Sequence, residues 1–394
     1  MTEFAIALIA VPLFFLLYAY LIYPALVWLV GRFGSPPAPA STPSEWPFIS
    51  ITIPAYNEEN SISDTIESLL ALSYPADRRQ ILIVSDASTD RTDEIIASYA
   101  DRGVELLRLP ERSGKTAAEN AAAPLLRGEI VVNMDATIRV GPDAIQELVK
   151  QFQDPTVGVA SGRDVSVGDL GREANQGESG YVGYEMGVRA LETRAGGIVG
   201  ASGCFYAIRR PLVQTAFPAE LSRDFSSPLI AHRHGYRSVS VNEALCYVPR
   251  TRSLQAEYRR KIRTMARGLQ TLFYFAPLLD PLRHGRFAWM LLSHKLCRWL
   301  VFLTMPLALV GLVLLSGNPV ARVLLGLATI GIALGLAGLR WPENRKTPQL
   351  LALPGFVVAS FLAGFIAWTR AFRGAHDPIW EPTRRPAPPP AAAA

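Results

Sequence analysis

In "ISITIPAYNEENSISDTIESLLALSY", residues 49–74, a short apolar run passes through a polar loop into a segment with apolar residues at helical spacing. Residues 49–54 read as a buried strand, and the stretch from Glu59 onward reads as a helix. The succession then repeats. "QILIVSDASTD" (80–90) is a strand followed by a polar loop, and "RTDEIIASYA" (91–100) is helical again. "VELLRLP" (104–110) and "EIVVNMD" (129–135) are two further strands, separated by an alanine-rich helix around 115–126. A helix at 142–152 and the apolar run "VGVASG" (157–162) complete the series. Strands alternating with helices across short connections predict an α/β fold: an open, mostly parallel sheet covered by helices.

Sheets of this kind bind ligands beyond the carboxyl ends of their strands, which makes the loop residues informative. The first strand leads into Ala55, Tyr56, Asn57, Glu58 and Glu59, the second into Asp86 and Asp90, and the fourth into Asp135. Each acid alone reads equally well as a helix cap or turn residue, and Asp90 opens a helix. Convergence of Asp86 and Asp135 on one sheet edge favours a ligand site. "SGKT" (113–116) resembles the end of a P-loop, but the glycine that pattern needs five residues before Gly114 is Leu109. Lys115 remains as a point charge able to meet a phosphate.

The chain has 394 residues, 49% of them apolar, and a formal net charge of +5. That excludes disorder and allows one or two domains. The apolar residues are clustered. Residues 4–29 carry no charged side chain and are long enough to cross about 30 Å of hydrocarbon. The run is too long for a signal peptide and lacks a basic start and a small-residue cleavage site, so a retained anchor is expected. Further apolar segments lie at about 299–316, 320–339 (with Arg322 near one end) and 350–371. Alternate crossing places residues 35–298 and the loop holding Arg340, Arg345 and Lys346 on one side, cytoplasmic by the positive-inside rule. Four crossings would leave Arg370, Arg373, Arg384 and Arg385 outside. Either the last segment stops short or 299–316 lies along the interface. Cys204, Cys246 and Cys297 show no metal-ligand spacing and no disulfide framework. The modest positive charge, with its basic helix adjoining membrane segments, weighs against a nucleic-acid partner.

An ordered set of short motifs now resembles the membrane-embedded family 2 glycosyltransferases that make bacterial polysaccharides and related glycans. It comprises "IPAYNEE", "IVSDASTD", "SGKTAAEN", "VVNMDATI", "GESGYVGYE", "VGASGCFYAIRR", "LSRDFSSPLIAHRHGYR" and "EYRRKIRTMARGLQ", with "SHKLCRWL" at the membrane entry. Each is weak alone; together they run through roughly residues 45–300. The resemblance implies a GT-A nucleotide-sugar-binding domain with N-terminal and C-terminal transmembrane helices. It divides the chain into a first helix and linker start (1–34), a cytoplasmic catalytic domain (35–288) with an interfacial helix near 256–275, about three membrane helices (289–373) and a Pro/Ala-rich tail (374–394).

Carried to individual residues, the resemblance implies that Ala55, Tyr56, Asn57 and Glu58 cup the nucleotide and that Asp86 binds the nucleobase. Lys115 falls at the nucleotide site. Asp135 matches the first acid of an aspartate-any-aspartate motif that holds Mg²⁺ or Mn²⁺ on the diphosphate. The second acid is absent, replaced by Thr137, which leaves a weaker hard-cation site. Asp224 matches the catalytic base, with Arg223 where an acid commonly stands. Gly203 belongs to the acceptor-facing wall, and Glu185 to acceptor positioning, although Glu185, Arg189 and Glu192 also read as simple helical ion pairs. Arg263 or Arg267 would meet the diphosphate or acceptor. The family's glutamine-x-x-arginine-tryptophan is represented by Thr264–Gly268, which keeps Arg267 and lacks the aromatic platform.

The expected activity is inverting sugar transfer from a UDP-sugar to a lipid-linked or polysaccharide acceptor at the bacterial inner membrane, with other polysaccharide-assembly proteins as partners. Two alternatives stay open. One is a processive polysaccharide synthase; the other is a catalytically inactive, nucleotide-binding membrane scaffold.

Overall fold

The structure, a computed structural model, describes residues 1–33, 41–167, 174–213, 216–249, 254–342 and 347–374. The linker residues 35–40, Arg345, Lys346, and the tail with Arg384 and Arg385 lie outside the described residues. The described residues form two compact units: one, 41–167 and 181–249, holds their strands, and the other holds Met1–Phe33, 174–180 and the helices from Leu254 onward.

The strands of the first unit are β1 (Ile49–Ala55), β2 (Arg79–Ser85), β3 (Val104–Arg108), β4 (Ile130–Met134), β5 (Arg139–Val140), β6 (Val157–Val167), β7 (Phe205–Arg209) and β8 (Arg237–Pro249). They form one sheet in the order β3-β2-β1-β4-β7-β6-β8-β5. β3, β2, β1 and β4 are parallel, as the alternation predicts. Most of the pairings are parallel, as expected, but β7 runs antiparallel to both β4 and β6. Strand direction is not written in the apolar pattern; a buried run such as "FYAIR" has the same composition either way. β8, also unforeseen, runs parallel to β6 with a register shift between Ser161 and Arg163.

Every residue of β1 is buried, as a central strand covered on both faces requires. The helix Ile62–Leu70 turns Ile62, Thr65, Ile66 and Leu69 inward, the i, i+3, i+4, i+7 stripe that packs a helix on a sheet. This geometry sends the carboxyl ends of β1, β2 and β4 to one edge.

Among the described residues of the second unit, four helices are long and apolar enough to cross a membrane: Thr2–Phe33, Pro281–Leu314, Pro319–Leu339 and Gln349–Phe372. The segment at 299–316 thus gains its length from the residues before it. The first two helices each contain a π-helical turn, Tyr18–Ile22 and Leu292–Cys297. Tyr18 hydroxyl meets Ser293 Oγ at 2.8 Å and accepts from Trp289 Nε1 at 3.1 Å. Such bonds tie apolar helices together where hydrocarbon offers no other partner. The basic helix Leu254–Tyr274 packs on Gln349–Phe372, with Lys261 over the Phe356 ring at 4.4 Å.

In the α/β unit, Arg237 of β8 donates to Asp154 Oδ2 at 2.6 Å, just ahead of β6. Hydrogen bonds from Thr156 and from Arg237 hold the Asp154 carboxyl down at about 2, from an ordinary 3.8. A depressed carboxyl contributes stability that is present above its unfolded value and lost as pH falls through the folded one. Asp154→Asn is therefore expected to lower the melting temperature at neutral pH, with the difference closing as pH falls from 3.8 toward about 2. A pH-independent difference would assign the effect to packing.

Candidate functional site

At the end of β1, the chain is fastened to the end of β2. Asp86 N–H donates to Ala55 O at 2.8 Å. Asn57 N–H donates to Ser88 Oγ at 3.2 Å, while Asn57 Oδ1 accepts from Thr89 N–H at 2.8 Å. Glu58 N–H donates to Thr92 Oγ1 at 2.8 Å, and its carboxylate accepts from Ser61 Oγ at 2.6 Å. Asn57 and Ala87 take left-handed backbone, φ 54° and 56°. That conformation is unusual for alanine and persists where surrounding bonds over-determine it. Asp90 is the turn acid the sequence allowed: Oδ1 accepts from Thr92 N–H at 3.0 Å, and Oδ2 accepts from Glu59 N–H.

Asp86 is 4% exposed. Its two oxygens accept from the backbone N–H groups of Ser113 and Gly114 at 2.7 and 2.8 Å. Gly114 reaches this position with φ 91°, a region a side chain disfavours, and opens the helix Lys115–Ala122. Asp86 thereby places Lys115. Each carboxylate oxygen has a second lone pair, so the loop contacts leave capacity for a ligand donor. Beside it, the Arg112 guanidinium lies 3.9 Å from the centroid of the Tyr56 ring.

Lys115 Nζ donates to Asp135 Oδ1 at 2.6 Å and to Gly203 O at 3.0 Å. Asp135 N–H in turn donates to Cys204 O, which locks the end of β4 to the turn before β7. Burial alone would lower the Lys115 ammonium, but Asp135, Glu119 and Asp224 more than offset it and hold the group charged, well above the ordinary lysine range. Asp224 sits in the first turn of the helix Arg223–Arg233. Ser222 Oγ donates to Asp224 Oδ1, and the other oxygen, Oδ2, faces Gly203, where an added Cβ would stand only 3.2 Å away. The bare glycine keeps that carboxylate accessible.

Behind this point lies a charged layer, of which the motif reading singled out Arg223 but not Glu119. Glu119 is buried one helical turn after Lys115, and Arg223 Nε lies 3.5 Å from its carboxylate. Arg223 also donates to Asn120 Oδ1 and stacks over Phe217. Burial raises the Glu119 carboxyl, against the pull of Lys115 and Arg223. The i, i+4 spacing of Lys115 and Glu119 was the available signal. On the far side, Arg189 makes the expected pair with Glu185 at 3.6 Å, both buried, and donates to Ala201 O at 2.9 Å. Ala201 N–H donates to the Asp224 carbonyl, so Arg189 braces the turn carrying Gly203.

The structure therefore brings together Lys115, Asp135, Gly203 and Asp224, with Ala55 through Glu58 and Asp86 in the adjoining loops. Arg263 and Arg267 stand half-buried on Leu254–Tyr274 in the membrane unit. There, Gly268 faces the ring of Trp299, which a Cβ would meet at 2.9 Å. The aromatic absent from 264–268 is thus present next to them from another helix. Among the described residues no three His, Cys, Asp or Glu side chains gather as a metal group.

Residues 50–217 match the family model for "Glycosyl transferase family 2". Among curated proteins, the chain is 31% identical over 169 residues to a beta-monoglucosyldiacylglycerol synthase from Nostoc sp., covering 42% of this chain and 36% of that protein. It is 25% identical over 277 residues to a poly-beta-1,6-N-acetyl-D-glucosamine synthase from Staphylococcus aureus, covering 66% of each. The chain thus spans about a third of the length of the first relative and about two thirds of the second. Among solved structures, a mannosyltransferase from Pyrobaculum calidifontis in complex with GDP-Man and Mn²⁺ matches with a TM-score of 0.72 and 21% identity. The match covers 95% of this chain and 99% of that one, and it shows the fold.

Because Asp86 holds two backbone donors in a buried place, Asp86→Ala is expected to destabilise the α/β unit by about 2–3 kcal/mol. Asp86→Asn, which keeps one acceptor oxygen, should lose less. Thermal unfolding of the two variants checks this ordering; equal losses would contradict the two-bond arrangement.

Proposed function

We propose that this chain, whose residues 50–217 match the model of glycosyl transferase family 2, moves a sugar from a UDP-sugar to a lipid-linked or glycan acceptor at the membrane, with inversion at the anomeric carbon. The observation that carries the reading is the meeting of Lys115, Asp135, Gly203 and Asp224 at the carboxyl edge of the sheet. The loops after β1 and β2 take the nucleoside, with Tyr56 and Asp86 facing the base. Lys115 offsets charge on the departing diphosphate, as an ammonium fixed in place before reaction does most effectively. Asp224, anchored by Ser222 through Oδ1, uses Oδ2 to remove the proton of the attacking acceptor hydroxyl beside Gly203.

A divalent ion fits as a one-carboxylate site. Asp135 Oδ1 and Gly203 O already hold a cation, the Lys115 ammonium, and Thr137 adds only a neutral oxygen. Mg²⁺ is commonly held by one or two carboxylates together with substrate phosphates. Asp135 would hold the ion, whose chemistry is to neutralise the diphosphate.

The Nostoc relative is named for a glucosyl lipid and the Staphylococcus relative for a polymer. A single or limited transfer to a lipid is the favoured reading; the longer alignment with the polymer synthase supports processive synthesis as a second. The four apolar helices make a multi-pass protein, which we assign to a bacterial inner membrane with the α/β unit cytoplasmic. Arg32 and Arg340, at the ends of the first and third spans, support this orientation.

The test is nucleotide release and product mass from purified protein with native lipid extract, against UDP- and GDP-sugars with and without Mn²⁺. One UDP-sugar giving a defined mass increment is expected; a ladder selects the processive reading, and nucleotide binding without transfer selects a scaffold. Asp224→Asn should cut kcat by about 10²–10⁴-fold while donor binding persists. Lys115→Met should lower it on the order of 10²-fold. Retained turnover in Asp224→Asn would remove Asp224 as the base.

A further inference from the structure

We propose that the last apolar helix, Gln349–Phe372, does not cross the bilayer. It lies within the leaflet on the entry side, from which the chain arrives at Leu254 after β8, and forms with the basic helix Leu254–Tyr274 a two-layered platform on phospholipid. The chain then crosses three times, and its carboxyl end returns to the entry side. This placement holds whether or not the chain transfers a sugar. Composition alone does not reveal it, because 24 residues with Arg370 as the one charge rise about 36 Å, enough to span.

The basic helix fixes the level. It starts at Leu254, soon after β8 ends at Pro249, and carries Arg259, Arg260, Lys261, Arg263 and Arg267 against the single acid Glu257. Five cations on one helix are costly to carry through hydrocarbon and suit the anionic headgroup level of a leaflet. Leu254–Tyr274 therefore stays on the entry side over its whole length.

The last helix runs alongside it in the same direction. Near the amino ends, a Cβ on Gly355 would stand 3.1 Å from Leu254 Cδ1, and Lys261 lies over the Phe356 ring. Near the carboxyl ends, the rings of Phe273 and Trp368 are 5.9 Å apart. Neighbouring helices hold the same two ends. Gln255 Nε2 donates to Leu339 O at 2.7 Å and to Trp341 O at 3.0 Å, which brings the end of Pro319–Leu339 back to the start of the basic helix. Trp368 Nε1 donates to Trp299 O at 2.9 Å, where the apolar run of the second span begins. That run crosses outward and Pro319–Leu339 returns, so both ends of the last helix meet chain at the entry side. Its faces agree. Gly355, Ala359, Ala363 and Ala367 are buried, while Leu350, Leu353, Val357 and Phe365 are exposed on the opposite stripe, apolar surface for hydrocarbon to cover. Arg370 and Arg373 then share a side with Arg340, as the positive-inside rule favours.

Full-length chains carrying Ser316→Cys or Ala394→Cys test the number of crossings with a membrane-impermeant maleimide, applied to spheroplasts and to inverted vesicles. Ser316 is exposed between the second and third spans, and the parent chain, with Cys204, Cys246 and Cys297, gives the background. Three crossings place residues 316 and 394 on opposite faces: Ser316→Cys is expected to react in spheroplasts and Ala394→Cys in inverted vesicles. Four crossings place them on one face, so reaction of both in the same preparation overturns the proposal. The swapped pattern keeps three crossings and instead refutes the cytoplasmic orientation. Depth is read by Leu353→Cys, which should stay unreactive in both preparations and react only once the protein is denatured. Ready reaction of Leu353→Cys in intact membranes would lift the helix out of the leaflet and overturn the platform.

Discussion

The contact of Lys115 with Asp135 and the Gly203 carbonyl ties three remote parts of the chain to one point. Lys115 comes from a helix positioned by Asp86, Asp135 from the end of β4, and Gly203 from the turn that leads into β7. Each arrives there by backbone geometry: Gly114 with its left-handed φ, Asp135 with its N–H on Cys204 O, Gly203 with no side chain to hold Asp224 away. On the proposed reading, a diphosphate would meet a cation already held in place, whose charge needs no reorganisation.

Around this contact, charge is layered by depth. Asp135 and Lys115 are partly exposed, whereas Glu119 is buried behind them with Arg223. Water screens the outer pair more than the inner one. Arg189 plays a mechanical part on the other side, bracing the Ala201–Gly203 turn against the helix that carries Asp224.

The first half of the sheet was legible because β1, β2 and β4 are apolar runs that end in polar loops, and a ligand edge follows from that arrangement. Direction was not legible for β7, since burial on both faces erases the distinction between parallel and antiparallel. β8 is hidden in the sequence because its alternation in "RSVSVNEALCYVP" is interrupted by Asn242 and Glu243. At the site, the acids at strand ends were found from sequence. The engagement of Asp86 by Ser113 and Gly114 needed the fold, as did the pairing of Glu119 with a residue more than a hundred positions away. The apolar spans were plain from composition, while the length of the second came only with the helix that begins at Pro281.

The central claim is that Asp224 and the Lys115–Asp135 contact serve one direct displacement at an anomeric carbon. The most direct test is the anomeric configuration of the product, read from the proton NMR coupling of the newly linked sugar and compared with that of the donor. A single displacement assisted by Asp224 predicts the opposite configuration. Retention of the donor's configuration would contradict the account, because it requires either a second displacement or a front-face path in which Asp224 has no role as base.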